Sequence, residues 1–433
     1  MPARRRLGQY ESDSFPTVLT SALIMVEAGE QCSVDTTWLV GLLKKSFADQ
    51  KPSVVLDTEI SLASALGENF LSTVHRVKVT LLLKGGKRKS FSMIVKKEIP
   101  GGKVDLVMGI LNIFPIECKV YTIILPMMGA LMDEFDDKRD KIWSNCLGYE
   151  PYSCIVMEDL NFEGYTTIDR TKWQSIQQAQ FALRTLARFH AMSKILLSRG
   201  QLTNDDRGHN IFVNDSKTFR TVYPAALGVL SNAIKTKWEP DWKDVGQRIA
   251  DNVELICDKM MRVFTYDKKF EAYNHGDLWS SNMMWKFTEY GDVPVSLKFI
   301  DWQFAHINSF IIDVVYFLFT SVVPTLRRNN LNLLLETYQE ALEKNLKFFK
   351  WEGYIPSLED VKSEFDRAAI MAFAFAACSL PVTSTALPEL SLDIGSLFDL
   401  PPEQVFNEGI FTEEKFVREI GPDFRAFCDA GVI

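Results

Sequence analysis

His275-Gly276-Asp277-Leu278-Trp279-Ser280-Ser281-Asn282, followed nineteen residues beyond Asn282 by Asp301 in Phe299-Ile300-Asp301-Trp302, decides the reading of this 433-residue chain. An H-x-D-x-x-x-x-N loop and a second Asp at a strand end are parts used in phosphoryl transfer to hold an attacking hydroxyl and Mg²⁺ around a nucleotide. That chemistry must manage a crowded triphosphate, metal ions and an oxygen held in line, so positioning and electrostatics do most of the work. Asp277 would orient the acceptor hydroxyl and take its proton. Asn282 would return to the same cavity as a neutral oxygen ligand, and Asp301 would supply the charged one, since Mg²⁺ takes few protein oxygens and fills its shell with phosphate and water.

The segments between them suit this geometry. Residues 283–287 and 295–300 read as apolar strands, and Tyr290-Gly291-Asp292 marks a turn, so a hairpin sets Asn282 beside Asp301. The plainer alternative is an Asx-rich turn at Asp277 and Asn282 with Asp301 capping the next segment. His275 is read as bracing the loop.

Upstream, residues 88–97 alternate as a strand after the turn Lys84-Gly85-Gly86-Lys87, with Phe91, Met93 and Val95 on one face and Ile94 and Lys96 on the other. Ile94 and Lys96 match the second and fourth positions of V-A-I-K, where an apolar residue roofs the adenine and an ammonium reaches the phosphates. Lys97 is the rival, but alternation points it to the opposite face. Phe114-Pro115-Ile116-Glu117 opens a helix, and Glu117 is the candidate partner for the lysine, or else an N-terminal glutamate stabilising the helix end. Gly67, Asn69 and Ser72 lie in a tight turn whose N–H groups would face phosphate, or in an ordinary β-turn. Met157, Glu158 and Leu160 fall where a buried strand runs into acidic residues, the form expected of a segment whose backbone hydrogen-bonds adenine, or of a core strand with a polar end.

Taken in order, Gly67-Glu-Asn-Phe with Ser72, Ile94-Val-Lys96, Phe114-Pro-Ile-Glu117 with Tyr121, Met157-Glu-Asp-Leu160, Ala187-Arg-Phe-His190-Ala191, His275 to Asn282 and Ile300-Asp-Trp-Gln303 resemble the ecdysteroid kinase-like family, small-molecule kinases related to choline kinase and aminoglycoside phosphotransferases. The resemblance runs from about residue 60 to 380. It implies an α+β, two-lobed protein-kinase-like fold: an N-terminal antiparallel-sheet lobe with one key helix over residues 1–158, and a larger, mainly helical lobe over 159–433. It also implies ATP- and Mg²⁺-dependent phosphorylation of a secondary metabolite, an ecdysteroid hydroxyl in the named activity. The sequence departs from the pattern at Trp302, where Phe is usual, and in the doubled lysine.

Only eleven residues lie between Asp301 and Asp313, and no A-P-E follows, so there is no room for an activation loop and peptide platform. A small-molecule alcohol is the expected acceptor. Net charge −8 argues against nucleic acid as a partner. Seven scattered cysteines without a C-x-x-C pair suit a reducing cytoplasm, and the longest apolar run, near 368–382, is short for a membrane span. Walker A, G-x-S-x-G, H-E-x-x-H and G-x-G-x-x-G sequences are missing.

Helical spacing marks residues 36–47, 171–197, 242–263, 331–349 and 358–380, while 199–224 reads as a long loop. The cluster 133–141 reads as a solvated, nearly balanced set of charges. Asp313 is read as bracing the following helix. Trp302, Gln303, Phe304, His306 and Phe310 would suit a steroid or phenolic ligand, or equally a helix entry packed in the core. The leading function is thus an ATP-dependent kinase for a lipophilic alcohol. The alternatives are a choline- or ethanolamine-type amino-alcohol kinase, which would need a cage for a quaternary ammonium, and a non-catalytic nucleotide- or steroid-binding protein.

Overall fold

The computed structural model of the chain describes residues 52–433 apart from 64–71, 84–85, 99–112, 152, 209–215, 267, 290, 292 and 386–404, together with Trp38, Gly41 and Leu42. Gly67 and Asn69 lie outside the described residues, and so does most of the helix expected over 36–47, of which Trp38, Gly41 and Leu42 are helical.

Strands β1 (Pro52–Leu62), β2 (Ser72–Leu83), β3 (Arg88–Glu98), β4 (Cys146–Glu150) and β5 (Cys154–Glu158) form one antiparallel sheet in the order β1-β2-β3-β5-β4. Gly86, at φ +84°, closes the β2–β3 hairpin in a conformation that costs glycine little. The side chains alternate as the sequence requires. Val77, Val79, Leu81, Phe91, Met93, Val95, Cys154 and Val156 pack into one cluster, while Ser92, Ile94 and Lys96 stand on the opposite face. A slip of one residue would exchange the two sets, driving Lys96 into the apolar cluster, so the burial pattern pins the register.

Helix α1 (Ile113–Lys119) passes through a π-helical turn at Val120–Ile124 into α2 (Leu125–Glu134). By length and composition Phe114–Glu134 would suffice to cross a membrane, but 61% of its apolar window is buried inside the protein, as in a core helix. This helix carries Glu117 under the sheet.

The rest of the described chain is mainly helical. Helix α3 (Ile176–Ser198) starts at a capping box, where Ser175 Oγ accepts from Gln178 N–H and Gln178 Oε1 accepts from Ser175 N–H. Then come α4 (Ser216–Lys237), α5 (Lys243–Asp251) and α6 (Val253–Thr265). Strand β6 (Glu271–Asn274) pairs with β9 (His306–Ser309), and between them β7 (Met283–Phe287) and β8 (Pro294–Phe299) form the expected hairpin. Helices α7 (Ile311–Thr320), α8 (Pro324–Phe348), α9 (Leu358–Arg367), α10 (Ala369–Ala374), α11 (Leu380–Ser384) and α12 (Glu414–Asp429) complete the chain, with a second π-helical turn at Phe375–Ser379.

Several sequence expectations need correction. The last part of the supposed loop over 199–224, from Ser216 on, is the start of α4: Phe219, Ala226, Leu227, Leu230, Ala233 and Ile234 are buried at helical spacing, and Pro224 within the helix hides the pattern. The helical stretch 242–263 is broken at Asn252, and 358–380 at Ala368. In the cluster 133–141, Asp137 is buried and bridges Arg188 and Arg139, so a solvated face describes its neighbours only. Trp302 and Phe310 are fully packed core residues, and the stretch 306–309 is a strand rather than a helix entry, which removes those two rings as acceptor contacts. The C-terminal segment, which carries no motif, supplies core through Phe416, Ile420 and Phe424 and a buried Arg327–Asp423 ion pair at 2.7 Å.

Candidate phosphoryl-transfer site

Strand alternation brings Lys96 out of the sheet toward α1, where its Nζ lies 2.7 Å from Glu117 Oε2 and 2.7 Å from Asp301 Oδ1. Residues separated by 205 positions in sequence thus meet at one ammonium. Burial alone would lower the Lys96 pKa, but the charges of Asp301 and Glu117 outweigh it and raise the pKa, holding the group protonated. Lys97 points to the other face, beside Cys154.

Glu117 is almost fully enclosed, and burial pushes its carboxyl up, against the pull of Lys96. Hydrogen bonds from the Lys96 ammonium and from the Trp302 backbone reach its carboxylate and pull the other way. Tyr121, one turn further along the same helical face, is also buried, and its hydroxyl is 3.5 Å from Ser144 Oγ.

The loop after β6 is built around Gly276 and Asp313. Gly276 sits at φ +83°, and a Cβ there would lie 2.0 Å from the Phe304 carbonyl oxygen, so glycine is needed both for the turn and for the close approach. Asp313, on α7, accepts from His275 N–H at 2.6 Å and Gly276 N–H at 2.9 Å. Burial would raise its pKa, but the His190 hydrogen bond, charge and these backbone donors keep it below the usual range. His190 Nε2 stands 3.2 Å from Asp313 Oδ2, with its Nδ1 2.7 Å from Tyr338 Oη. His275 is buried, and burial lowers its pKa. Its Nε2 is 3.0 Å from the Ile300 carbonyl and therefore carries the proton, while Nδ1 accepts from Asp277 N–H. His275 and His190 are thus bracing residues.

Asp277 leaves this loop half-buried, with Oδ1 accepting from Tyr316 Oη at 2.6 Å and Oδ2 from Asn282 Nδ2 at 3.1 Å. Burial pushes its carboxyl up to about 6 against those two donors. Asn282 also donates to the Asp277 carbonyl at 2.8 Å, which commits its NH₂ and turns Oδ1 away from Asp277. The β7–β8 hairpin then returns the chain: Met283 pairs with Phe299, and Ile300 N–H donates to the Asn282 carbonyl at 3.0 Å. Asp301 follows at φ +66°, a left-handed conformation that costs a non-glycine residue about 1–2 kcal/mol and that Asp tolerates better than most. The reversal aims its carboxylate at Lys96.

Of the remaining candidates, Ile94 pairs with Met157 across β3 and β5, on the face that carries Lys96. Leu160 is buried in a small cluster with Tyr165 and Met284, against which Ile300 packs. The Glu158 carboxylate turns away to accept from Asn145 N–H and Nδ2. Ser72 opens β2, paired with Glu98. Sequence reasoning missed Tyr316. The signal was available in Asp313-x-x-Tyr316, two polar groups one turn apart in an otherwise apolar helix, hence on one face.

No group of three or more His, Cys, Asp or Glu side chains able to hold a metal by themselves occurs among the described residues. A carboxylate at Asp301 and an amide oxygen at Asn282 fit an ion that draws its other ligands from phosphate and water, which is the habit of Mg²⁺. The charge balance fits too: one ammonium faces the carboxylates of Glu117, Asp301 and Asp277, leaving the cleft able to take a dication.

Side chains arranged in this way suit a small-molecule phosphotransferase. The chain belongs to the ecdysteroid kinase-like family, whose model matches residues 66–351. Among solved structures, it is similar to an ethanolamine kinase from Plasmodium vivax, with 11% identity, 91% of each chain covered and a TM-score of 0.39. It is also similar to a glucosamine kinase, with 11% identity, 77% of this chain and 91% of the other covered, and a TM-score of 0.30. Both likenesses are distant. No curated protein matches the chain significantly.

Proposed function

We propose that this protein is an ATP- and Mg²⁺-dependent kinase that transfers the γ-phosphate to a hydroxyl of a lipophilic alcohol, ecdysteroid-like or xenobiotic. The observation that carries the reading is the convergence of Lys96, Glu117 and Asp301 on one ion-paired cluster, next to the Asp277–Asn282 pair. In this reading Lys96, fixed by Glu117, binds the phosphates, Asp277 orients the acceptor hydroxyl and takes its proton, and Asn282 and Asp301 hold the metal. Bound Mg²⁺ would neutralise charge on the transferring phosphoryl group. Ile94, Met157 and Leu160 would line the adenine, with the backbone at Glu158 alongside. The sheet with the Glu117 helix, residues 1–158, and the helical remainder, 159–433, would then be the two lobes of a protein-kinase-like fold.

The lipophilic acceptor is favoured by what crowds Asp277. Tyr316 packs edge-on against Phe375 with ring centroids 4.7 Å apart, and half-buried Tyr223, hydrogen-bonded to Ser379, feels the charge of Asp277. Such aromatic walls suit an apolar ligand with few polar handles. Cys146, Cys154, Cys257, Cys378 and Cys428 are free thiols, which supports a cytoplasmic location.

The test is a screen of purified protein with Mg·ATP against ecdysteroids, phenols, choline and ethanolamine, reading phosphorylated product by mass. Product from the hydrophobic alcohols is expected. Product from choline or ethanolamine alone would replace the acceptor class, and no product together with no ATP-induced thermal shift would point to a non-catalytic protein.

A further inference from the structure

The sheet face that carries Lys96 is organised in rows by strand register. Val74, Lys96 and Ile155 form one row, and Arg76, Ile94 and Met157 the next. Ser92 stands one row further on, beside Lys78, and meets Asp159, the residue just past β5, through a 2.6 Å hydrogen bond from its hydroxyl. Each row is two residues along β3, so the Ser92 row lies roughly 13 Å from Lys96 at about 3.3 Å per residue. If Lys96 holds phosphate, this far end is where a nucleotide base arrives.

A built polar group waits there. Asp159 is buried, and both of its oxygens are engaged: Oδ2 accepts from Arg76 Nε at 2.7 Å and from Ser92, while Oδ1 accepts from Asn161 N–H at 3.2 Å and lies 3.5 Å from Arg76 Nη2. Arg76 is thereby gripped along one edge, and its side chain keeps 21% exposure. Edge-on capture fixes the guanidinium plane without covering it, and a fixed plane of this kind stacks on aromatic rings. Apolar side chains flank the position: Ile94 and Met157 share the Arg76 row, and Leu160, adjoining Asp159 in the chain, packs with Met284 and Ile300.

We propose that Arg76, clamped by Asp159 and Ser92, is the base-stacking residue of the nucleotide site and favours purine over pyrimidine triphosphates. This rests on the ATP-binding reading above. The competing account is a structural staple between β2 and the chain after β5, a role that a base cannot sense.

The experiment compares magnesium-loaded ATP, CTP and tripolyphosphate binding to the full-length protein, by calorimetry, for the wild type, Arg76→Ala and Arg76→Lys. Tripolyphosphate keeps the phosphate contacts and lacks the base. Wild-type protein should bind ATP more tightly than CTP. Arg76→Ala should weaken ATP by about tenfold and leave tripolyphosphate within about twofold of wild type, and Arg76→Lys, which keeps the charge without the plane, should not restore ATP affinity. Equal weakening of ATP and tripolyphosphate, unchanged ATP affinity in Arg76→Ala, or a wild type indifferent to the base overturns the proposal. The last of these needs no variant to fold. Wild-type protein that binds tripolyphosphate and ATP alike defeats only the role of Arg76, whereas a wild type that binds neither defeats the ATP-binding reading with it.

Discussion

Asp277→Ala is expected to lower turnover by roughly a thousandfold, the middle of the range for loss of a positioned general base, and to leave Mg·ATP binding in place. The carboxylate is held from two sides, by Tyr316 at 2.6 Å and Asn282 at 3.1 Å, so its direction is set before any acceptor arrives. In the proposed role, removing it takes away the group that orients the hydroxyl and receives its proton, but it leaves Lys96, Glu117 and Asp301 in place. Asp277→Asn should behave nearly as badly, because the amide keeps the shape and cannot take the proton. Steady-state kinetics paired with ATP titration separates the outcomes: variants with turnover close to wild type would remove Asp277 from its role.

Lys96→Met is expected to hurt both stability and turnover. The substitution leaves Glu117, almost wholly enclosed, without its counter-charge, and deprives Asp301 of its 2.7 Å partner. Breaking a buried pair by removing one member costs about 3–5 kcal/mol, more than swapping both members for apolar groups would. The carboxyl of Glu117, already pushed up by burial, should then take a proton. Lys96→Arg should not restore turnover, since a planar fork cannot replace a compact ammonium set between two carboxylates. Chemical denaturation and product assays read the two losses separately. A Lys96→Met protein as stable and active as the wild type would mean that the cluster is incidental.

Much of this arrangement was legible in the sequence because it rests on short-range rules. Alternation along β3 selects Lys96 over Lys97, and the turn near Gly291 sets the hairpin that brings Asn282 to Ile300, next to Asp301. What escaped depends on packing between distant segments. The Arg76–Asp159 pair joins residues 83 apart, and nothing local marks Arg76 as the partner of that acidic segment. Tyr316 looked like one aromatic in an apolar helix until α7 docked against the loop that Asp313 braces. Helix α4 was hidden by Pro224 and by a polar lead-in, and the β6–β9 pairing by strands only four residues long. The aromatic run after Asp301 illustrates the opposite error: Trp302 packs at a tilt against His275 and Phe189, with ring centroids 4.5 Å and 4.9 Å away, so its aromaticity serves the core.

Asp301, reached through the hairpin and tied to Lys96, is the proposed metal ligand for a bound nucleotide. ATP titration by calorimetry, with Mg²⁺ and with the metal chelated, tests it in the wild type and in Asp301→Ala. The wild type should bind ATP more tightly when Mg²⁺ is present, and Asp301→Ala should lose most of that metal-dependent gain. An Asp301→Ala protein that keeps the full gain would contradict the assignment.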